Sequence, residues 1–218
     1  IQIDKPGLHF DVNEKDYHAD PLPEPSASRS ILKILFERTP RHASAAHPRL
    51  PHFKPVEKED KFDLGTAVHS TILKRGANIL ECPFDSWRSG DAKLMRDAAR
   101  KAGKVPLLTD QVERVDEMNT AIFGQLNDFP DLAGVFDSAH GAPEVMAACI
   151  DPVGGWTRVL IDWLGKDLTV WDLKTTDIPV TESRLGRHCD SMGYEWQHAI
   201  TERVLCNLYP ELRGRFQF

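Results

Sequence analysis

Apolar positions follow a helical period in the early part of the chain and gather into strand-like runs after Pro143. Ile31, Leu32, Leu35 and Phe36 line one side of a short segment that Ser28 can cap, which predicts a helix ended by Pro40. Residues 40–57, with Pro40, Pro48, Pro51 and Pro55, read as a loop. Leu64, Val68 and Ile72 recur at intervals of four, which predicts a helix over 63–75 with Gly76 as its stop. A basic helix is expected over 91–103. Another begins at Thr109 or Asp110 and runs to about Leu126, Asp110 and Glu113 having capping-box spacing.

After Pro143 the pattern is that of strands. Residues 144–150 form one, Asp151-Pro-Val-Gly-Gly155 is turn chemistry, and 156–164 is the return strand. Gly165-Lys-Asp167 makes a second turn, and 168–174 a third strand rich in β-branched and aromatic residues. A long helix is expected from Thr181 or Ser183 to about Asn207, and a further strand begins at Arg215. The expected fold is α/β (α+β), a central mixed sheet flanked by helices, with a helical N-terminal region. Residues 1–27, rich in Pro, Asp and His, are expected as an extended arm, and 28–218 as one domain cut short at its C-terminus.

Composition narrows this picture. Of 218 residues, 41% are hydrophobic and 28% charged, enough for a core without disulfides or structural metal. Cys82, Cys149, Cys189 and Cys206 lack C-x-x-C spacing, which argues against a zinc site and fits reduced thiols in a cytoplasmic protein. No apolar run reaches the length of a membrane span, and the first residues lack signal-peptide character. The net charge of −6 argues against a protein that coats nucleic acid, but local cations can still meet phosphates.

Chemistry concentrates at Asp162 and, ten residues on, at Asp172-Leu-Lys174. On a strand, Asp172 and Lys174 share a face. The spacing leaves open whether Asp162 converges on them. Two carboxylates and a lysine suit phosphodiester hydrolysis. Hard oxygen donors bind Mg²⁺ or Mn²⁺, the ion activates water, and a lysine orients that water or offsets transition-state charge. D-x-K on a strand face is common by itself. Here Val170, Trp171 and Leu173 imply a buried strand, where charges need partners.

The ordered set of motifs resembles the PDDEXK nuclease superfamily in its RecB-type branch, and within it the exonuclease VIII (RecE) group of phages and prophages. The matching pieces are Tyr17-His-Ala, Ser28-Arg-Ser-Ile-Leu, Thr39-Pro-Arg-His42, Gly65-Thr-Ala-Val-His69, Glu144, Ile161-Asp-Trp-Leu164, Trp171-Asp-Leu-Lys-Thr-Thr176 and Gly193-Tyr-Glu-Trp-Gln197. The resemblance implies a restriction-endonuclease-like core. It implies His69, Asp162, Asp172 and the Leu173 carbonyl as metal ligands, and Lys174 as the catalytic lysine. Glu144 would reach a second metal or order the site, and Gln197 would hold the site or a DNA strand. It further implies a Mg²⁺- or Mn²⁺-dependent 5′→3′ exonuclease that resects double-stranded DNA ends for recombination, in the cytoplasm of a bacterial or phage-infected cell. A ring-shaped trimer or tetramer and a single-strand annealing recombinase are the implied partners. The chain departs from the branch pattern in two places. Gln197 is followed by Thr201 where an aromatic is usual, with Tyr194 one turn earlier. Leu160 stands where a basic residue often precedes the strand Asp, and Arg158 would share the face of Asp162.

The secondary expectations are phosphate contacts from the 93–104 run or from Arg29, Lys33 and Arg41, and base stacking at Trp87-Arg88. The rival readings are an endonuclease or flap nuclease on the same fold, an inactive DNA-binding protein, and a small-molecule metal hydrolase. The last lacks a second histidine motif, since His188 and His198 form no H-x-x-x-H.

Overall fold

The structure is a computed structural model that describes residues 1–55, 63–176 and 181–216. The elements run β1 (Gly7–His9), α1 (Glu14–Ala19), α2 (Arg29–Glu37), α3 (Pro40–Ala46), α4 (Asp63–Ile72), β2 (Ile79–Cys82), α5 (Gly90–Lys101), β3 (Val105–Leu108) and α6 (Thr109–Asn127). They continue with β4 (Gly141–Ile150), β5 (Trp156–Gly165), β6 (Val170–Trp171), α7 (Glu182–Met192), α8 (Tyr194–Leu208) and a 3-10 turn at Pro210–Leu212. The described residues are thus mixed α/β, with a four-stranded sheet in the order β1-β4-β5-β6 and a separate β2-β3 pair.

The chain divides into two compact units. The first comprises Ile1–Val56, Glu144–Ile161 and Thr176–Phe218, the second Glu57–Pro143 and Asp162–Thr175. In the first unit β1 pairs antiparallel with β4, Leu8 opposite Ala147. Ile3, Val12, Tyr17, Leu22, Met146, Ala148 and Trp156 form its core. Residues 1–27 are therefore not an extended arm. Asn13 caps α1 by accepting from the Asp16 N–H at 2.8 Å, and Tyr17 buries the helix against this core.

A charged network lies inside the same unit. Asp20, 3% exposed, accepts from the Ser26 N–H at 2.9 Å and the Ser26 hydroxyl at 2.7 Å. His47 Nε2 stands 3.2 Å and Arg158 Nη1 3.0 Å from its carboxylate oxygens. Arg158 also donates to the Ser26 carbonyl at 3.0 Å, and its guanidinium carbon lies 5.1 Å from the Tyr17 ring centre. Arg158, 2% exposed, is thus committed to the interior of this unit, a correction to the functional face expected for it.

Three more expectations change here. Pro40 opens α3 instead of starting a loop, because a proline at the first helical position gives up only an N–H that has no helical partner. Ser28 stands at the start of α2 without a capping bond, its hydroxyl lying 3.1 Å from that of Ser30. The single long C-terminal helix is two, broken at Gly193, whose φ of +68° ends α7 in a left-handed cap. Arg29 reaches this cap and donates to the Met192 carbonyl at 2.8 Å, while Lys33 pairs with Glu37 at 3.7 Å. Neither is the open phosphate contact expected of it. Gln197 is half-buried on α8. The strand expected from Arg215 runs into residues 217–218, outside the described residues.

The second unit is built around α4. The expected stripe holds: Val68 and Ile72 are fully buried with Ala67, Leu73, Val105, Leu107, Val115 and Trp163, and Leu64 packs at the edge. Full burial of one such aliphatic side chain contributes roughly 1.5–3 kcal/mol. The pair β2-β3 is parallel, with Leu80 opposite Pro106, and α5 supplies the crossover that parallel strands require. It was not anticipated, because each run spans four residues and Pro106 removes a ladder donor. The start of α6 also differs. The Leu108 N–H donates to the Gln111 side chain at 2.9 Å, so Gln111 fills the role given to Glu113.

Candidate active site

Strand β6 is much shorter than the expected 168–174, and the reasons shape the site. Leu168, at φ +67°, belongs to the preceding turn, where the Asp167 carboxylate accepts from the Thr169 N–H at 3.0 Å. Strand pairing then lasts only two residues, Leu164 opposite Val170 and Trp163 opposite Trp171. Beyond Trp171 the Leu173 N–H donates to Asp162 Oδ2 at 2.9 Å. A side-chain carboxylate has taken the place of a ladder carbonyl, and regular pairing ends there.

The ladder fixes no register past Trp171, but the Asp172 charge still acts on the Asp162 carboxyl, so the two acids are neighbours. Like charges this close repel. Asp162 is the more enclosed, with a side chain 19% exposed against 32% for Asp172. Burial pushes the Asp162 carboxyl above the usual carboxylate range, and the Asp172 charge adds to that. His69, Lys174 and the Leu173 N–H act in the opposite sense.

The remaining groups close on these acids. His69, in the last turn of α4, places Nδ1 3.8 Å from Asp162 Oδ2. Lys174 Nζ forms an ion pair with Asp172 Oδ2. His69, Asp162, Asp172 and Lys174, with the Leu173 backbone, therefore form one cluster within the second unit. Glu144 and Gln197 belong to the first unit. Glu144 lies inside β4 instead of opening it, and its φ of +48° is unusual for a residue other than glycine.

The donor chemistry fits a hard cation in one respect. A part-buried carboxylate raised by burial and by a neighbouring acid is the group that a bound cation would relieve. In another respect the arrangement falls short. Among the described residues, no three His, Cys, Asp or Glu side chains are gathered as a metal-holding group, and Asp172 is drawn to Lys174.

Two residues of the matching motifs to which no role was assigned, Gly65 and Thr175, complete the cluster. Gly65 is one turn before His69 on the same helix face. A Cβ at Gly65 would stand 2.8 Å from Thr175 Oγ1, so the missing side chain is what lets Thr175 lie against α4. The signal available was a helical glycine four residues before a histidine. On the far side of α4, Asn119 Nδ2 donates to the Thr71 hydroxyl at 2.9 Å, linking α4 to α6.

No family model, curated protein or solved structure matches this chain. The function must be argued from the cluster itself. Of the other expected contacts, Trp87 is half-buried with the Arg96 guanidinium 6.0 Å from its ring centre, so the ring already has a stacking partner. No helix among the described residues is long and apolar enough to cross a membrane.

Proposed function

We propose that the chain is a divalent-metal-dependent deoxyribonuclease on a restriction-endonuclease-like (PDDEXK) core. The observation that carries the reading is the gathering of two interacting acids, Asp162 and Asp172, with Lys174 on Asp172 and His69 3.8 Å from Asp162. His69, Asp162 and Asp172 would hold Mg²⁺ or Mn²⁺, which when bound supplies Lewis acidity at the scissile phosphate and acidifies a water.

The protein's own groups do the rest. Asp162 is fixed by the Leu173 N–H, so its carboxylate is pre-oriented. Burial and Asp172 leave it in need of a positive charge. Lys174 shares the face of Asp172 and can turn from that carboxylate to a phosphate oxygen or the attacking water. A lysine in that place distinguishes a hydrolytic site from a purely structural pair of acids.

The 5′→3′ direction, the recombination role, the ring-shaped assembly and the roles of Glu144 and Gln197 enter this reading through the resemblance alone. A ring around duplex would keep an acidic chain on its substrate. Light scattering showing a monomer that still degrades duplex processively would remove that element.

The test is incubation with a linear duplex and a closed circular duplex, in Mg²⁺ and in a chelator. Loss of the linear form alone, stopped by chelation, is expected. Cutting of the circle would convert the reading to an endonuclease. No metal-dependent loss of either substrate would remove the nuclease reading.

A further inference from the structure

The chain is acidic, yet residues 88–104 hold six cations and two acids. Helix α5 and its flanks carry them. Ser89 caps the helix by accepting from the Ala92 N–H at 3.1 Å. Its inner side is small and apolar: Ala92 and Ala99 are buried. Two of the six cations are engaged. Arg100 donates to Asp63 at 2.6 Å, which ties α5 to the first turn of α4, the helix that carries His69. Arg96 pairs with Asp97 at 3.0 Å and covers Trp87.

The other four, Arg88, Lys93, Lys101 and Lys104, are exposed and form no ion pair among the described residues. Of the two acids, Asp97 is matched to Arg96, and Asp91 sits in the first helical turn, where the helix dipole favours it. The outward face is left with uncompensated positive charge.

We propose that this face of α5 binds the sugar–phosphate backbone of duplex DNA. The choice of DNA as the polyanion rests on the nuclease reading above; the charge and its placement do not. Lys93 and Lys101 are about 12 Å apart along the helix axis, roughly the rise of three to four phosphates on one strand. An anionic membrane suits the face less well. Interfacial helices bury a broad apolar side in lipid, whereas α5 turns Ala92 and Ala99 inward, and Leu94, at 72%, is the one large apolar side chain it exposes.

The test is fluorescence anisotropy of a labelled duplex with the full chain in chelator, across a salt series. The variant is Lys93→Gln/Lys101→Gln/Lys104→Gln, with Lys15→Gln/Lys54→Gln as an exposed control remote in sequence. The slope of log affinity against log salt should shrink by about 0.9 per lost phosphate contact, approaching three such contacts in the triple variant, with affinity down at least about tenfold. The control should match wild type. Single variants, each expected to remove about one contact, keep the test decisive if the triple variant melts abnormally.

Unchanged affinity and salt slope in the triple variant, alongside Mg²⁺-dependent cleavage by wild type, would overturn the proposal and leave the nuclease reading intact. A lysine-dependent slope without cleavage would support this surface and remove the nuclease. Lysine-dependent binding to phosphatidylserine vesicles, with no duplex binding, would overturn the proposal in favour of a lipid surface.

Discussion

The Leu173 N–H donates to the Asp162 carboxylate at 2.9 Å, across eleven residues of sequence. That bond lies just past the end of the β5-β6 ladder and fixes the first acid of the cluster against the segment after β6 that carries the second acid and the lysine. It is available only because strand pairing stops at Trp171, so the brevity of β6 and the geometry of the site have one cause.

The burial of Asp162 predicts a conflict between stability and function. Its carboxyl is raised in the folded chain, so the fold holds that proton more tightly than the unfolded chain does. Stability is therefore lost as pH rises from the ordinary carboxylate range through the raised folded value, and stays lost above it. Asp162→Asn keeps an acceptor for the Leu173 N–H without the charge. It should melt above wild type at pH 7, with the difference shrinking as pH falls through the raised folded value and gone by about 4, the ordinary carboxylate pKa. Nuclease activity should vanish in the same variant. Thermal unfolding across pH, with and without Mn²⁺, measures this. Mn²⁺ should raise the melting temperature of wild type alone, by an amount set by concentration over affinity. A lower melting temperature for Asp162→Asn at pH 7 would count against the account.

The Gly65–Thr175 approach predicts a coupling that a double-mutant cycle reads. Gly65→Ala gains about 1 kcal/mol of helix propensity but drives a methyl into Thr175 Oγ1. Cleavage should fall about tenfold. Thr175→Ala alone should cost little, and Gly65→Ala/Thr175→Ala should recover most of the rate. Additive effects would mean that the close approach does not set the site.

The Asp20 network predicts a large stability effect in the first unit. Asp20→Ala leaves Arg158 and His47 buried without their carboxylate, which costs about 3–5 kcal/mol. Adding Arg158→Met should restore part of that. Urea denaturation monitored by circular dichroism measures both, and a loss under about 1 kcal/mol in the single variant would contradict the network's role.

Periodicity made much of the scaffold legible. The α4 stripe follows from its period-four pattern, and the β4-β5 meander from two mostly apolar runs joined by the Asp151–Gly155 turn, with burial enforcing both. The break at Gly193, the short β6 and the β2-β3 pair were not legible, because each is decided by a tertiary partner. Arg29 holds the carbonyls at Gly193, Asp162 captures the Leu173 N–H, and α5 brings two four-residue runs together. For the site, D-x-K spacing gives the shared face of Asp172 and Lys174. Spacing alone could not bring Asp162 to Asp172, since that depends on the Leu173 N–H that Asp162 captures beyond the end of the ladder. Arg158 was misjudged for a similar reason: period two gives its face but not the buried acid, Asp20, that claims it.

The central claim is that Asp162, Asp172 and Lys174 carry out metal-dependent phosphodiester hydrolysis. The most direct measurement is release of acid-soluble nucleotides from a linear duplex at saturating Mg²⁺, by wild type, Asp172→Asn and Lys174→Met. The account predicts release by wild type and a fall of at least about a thousandfold in both variants, with their folding and duplex binding retained. Undiminished release by Asp172→Asn would contradict it.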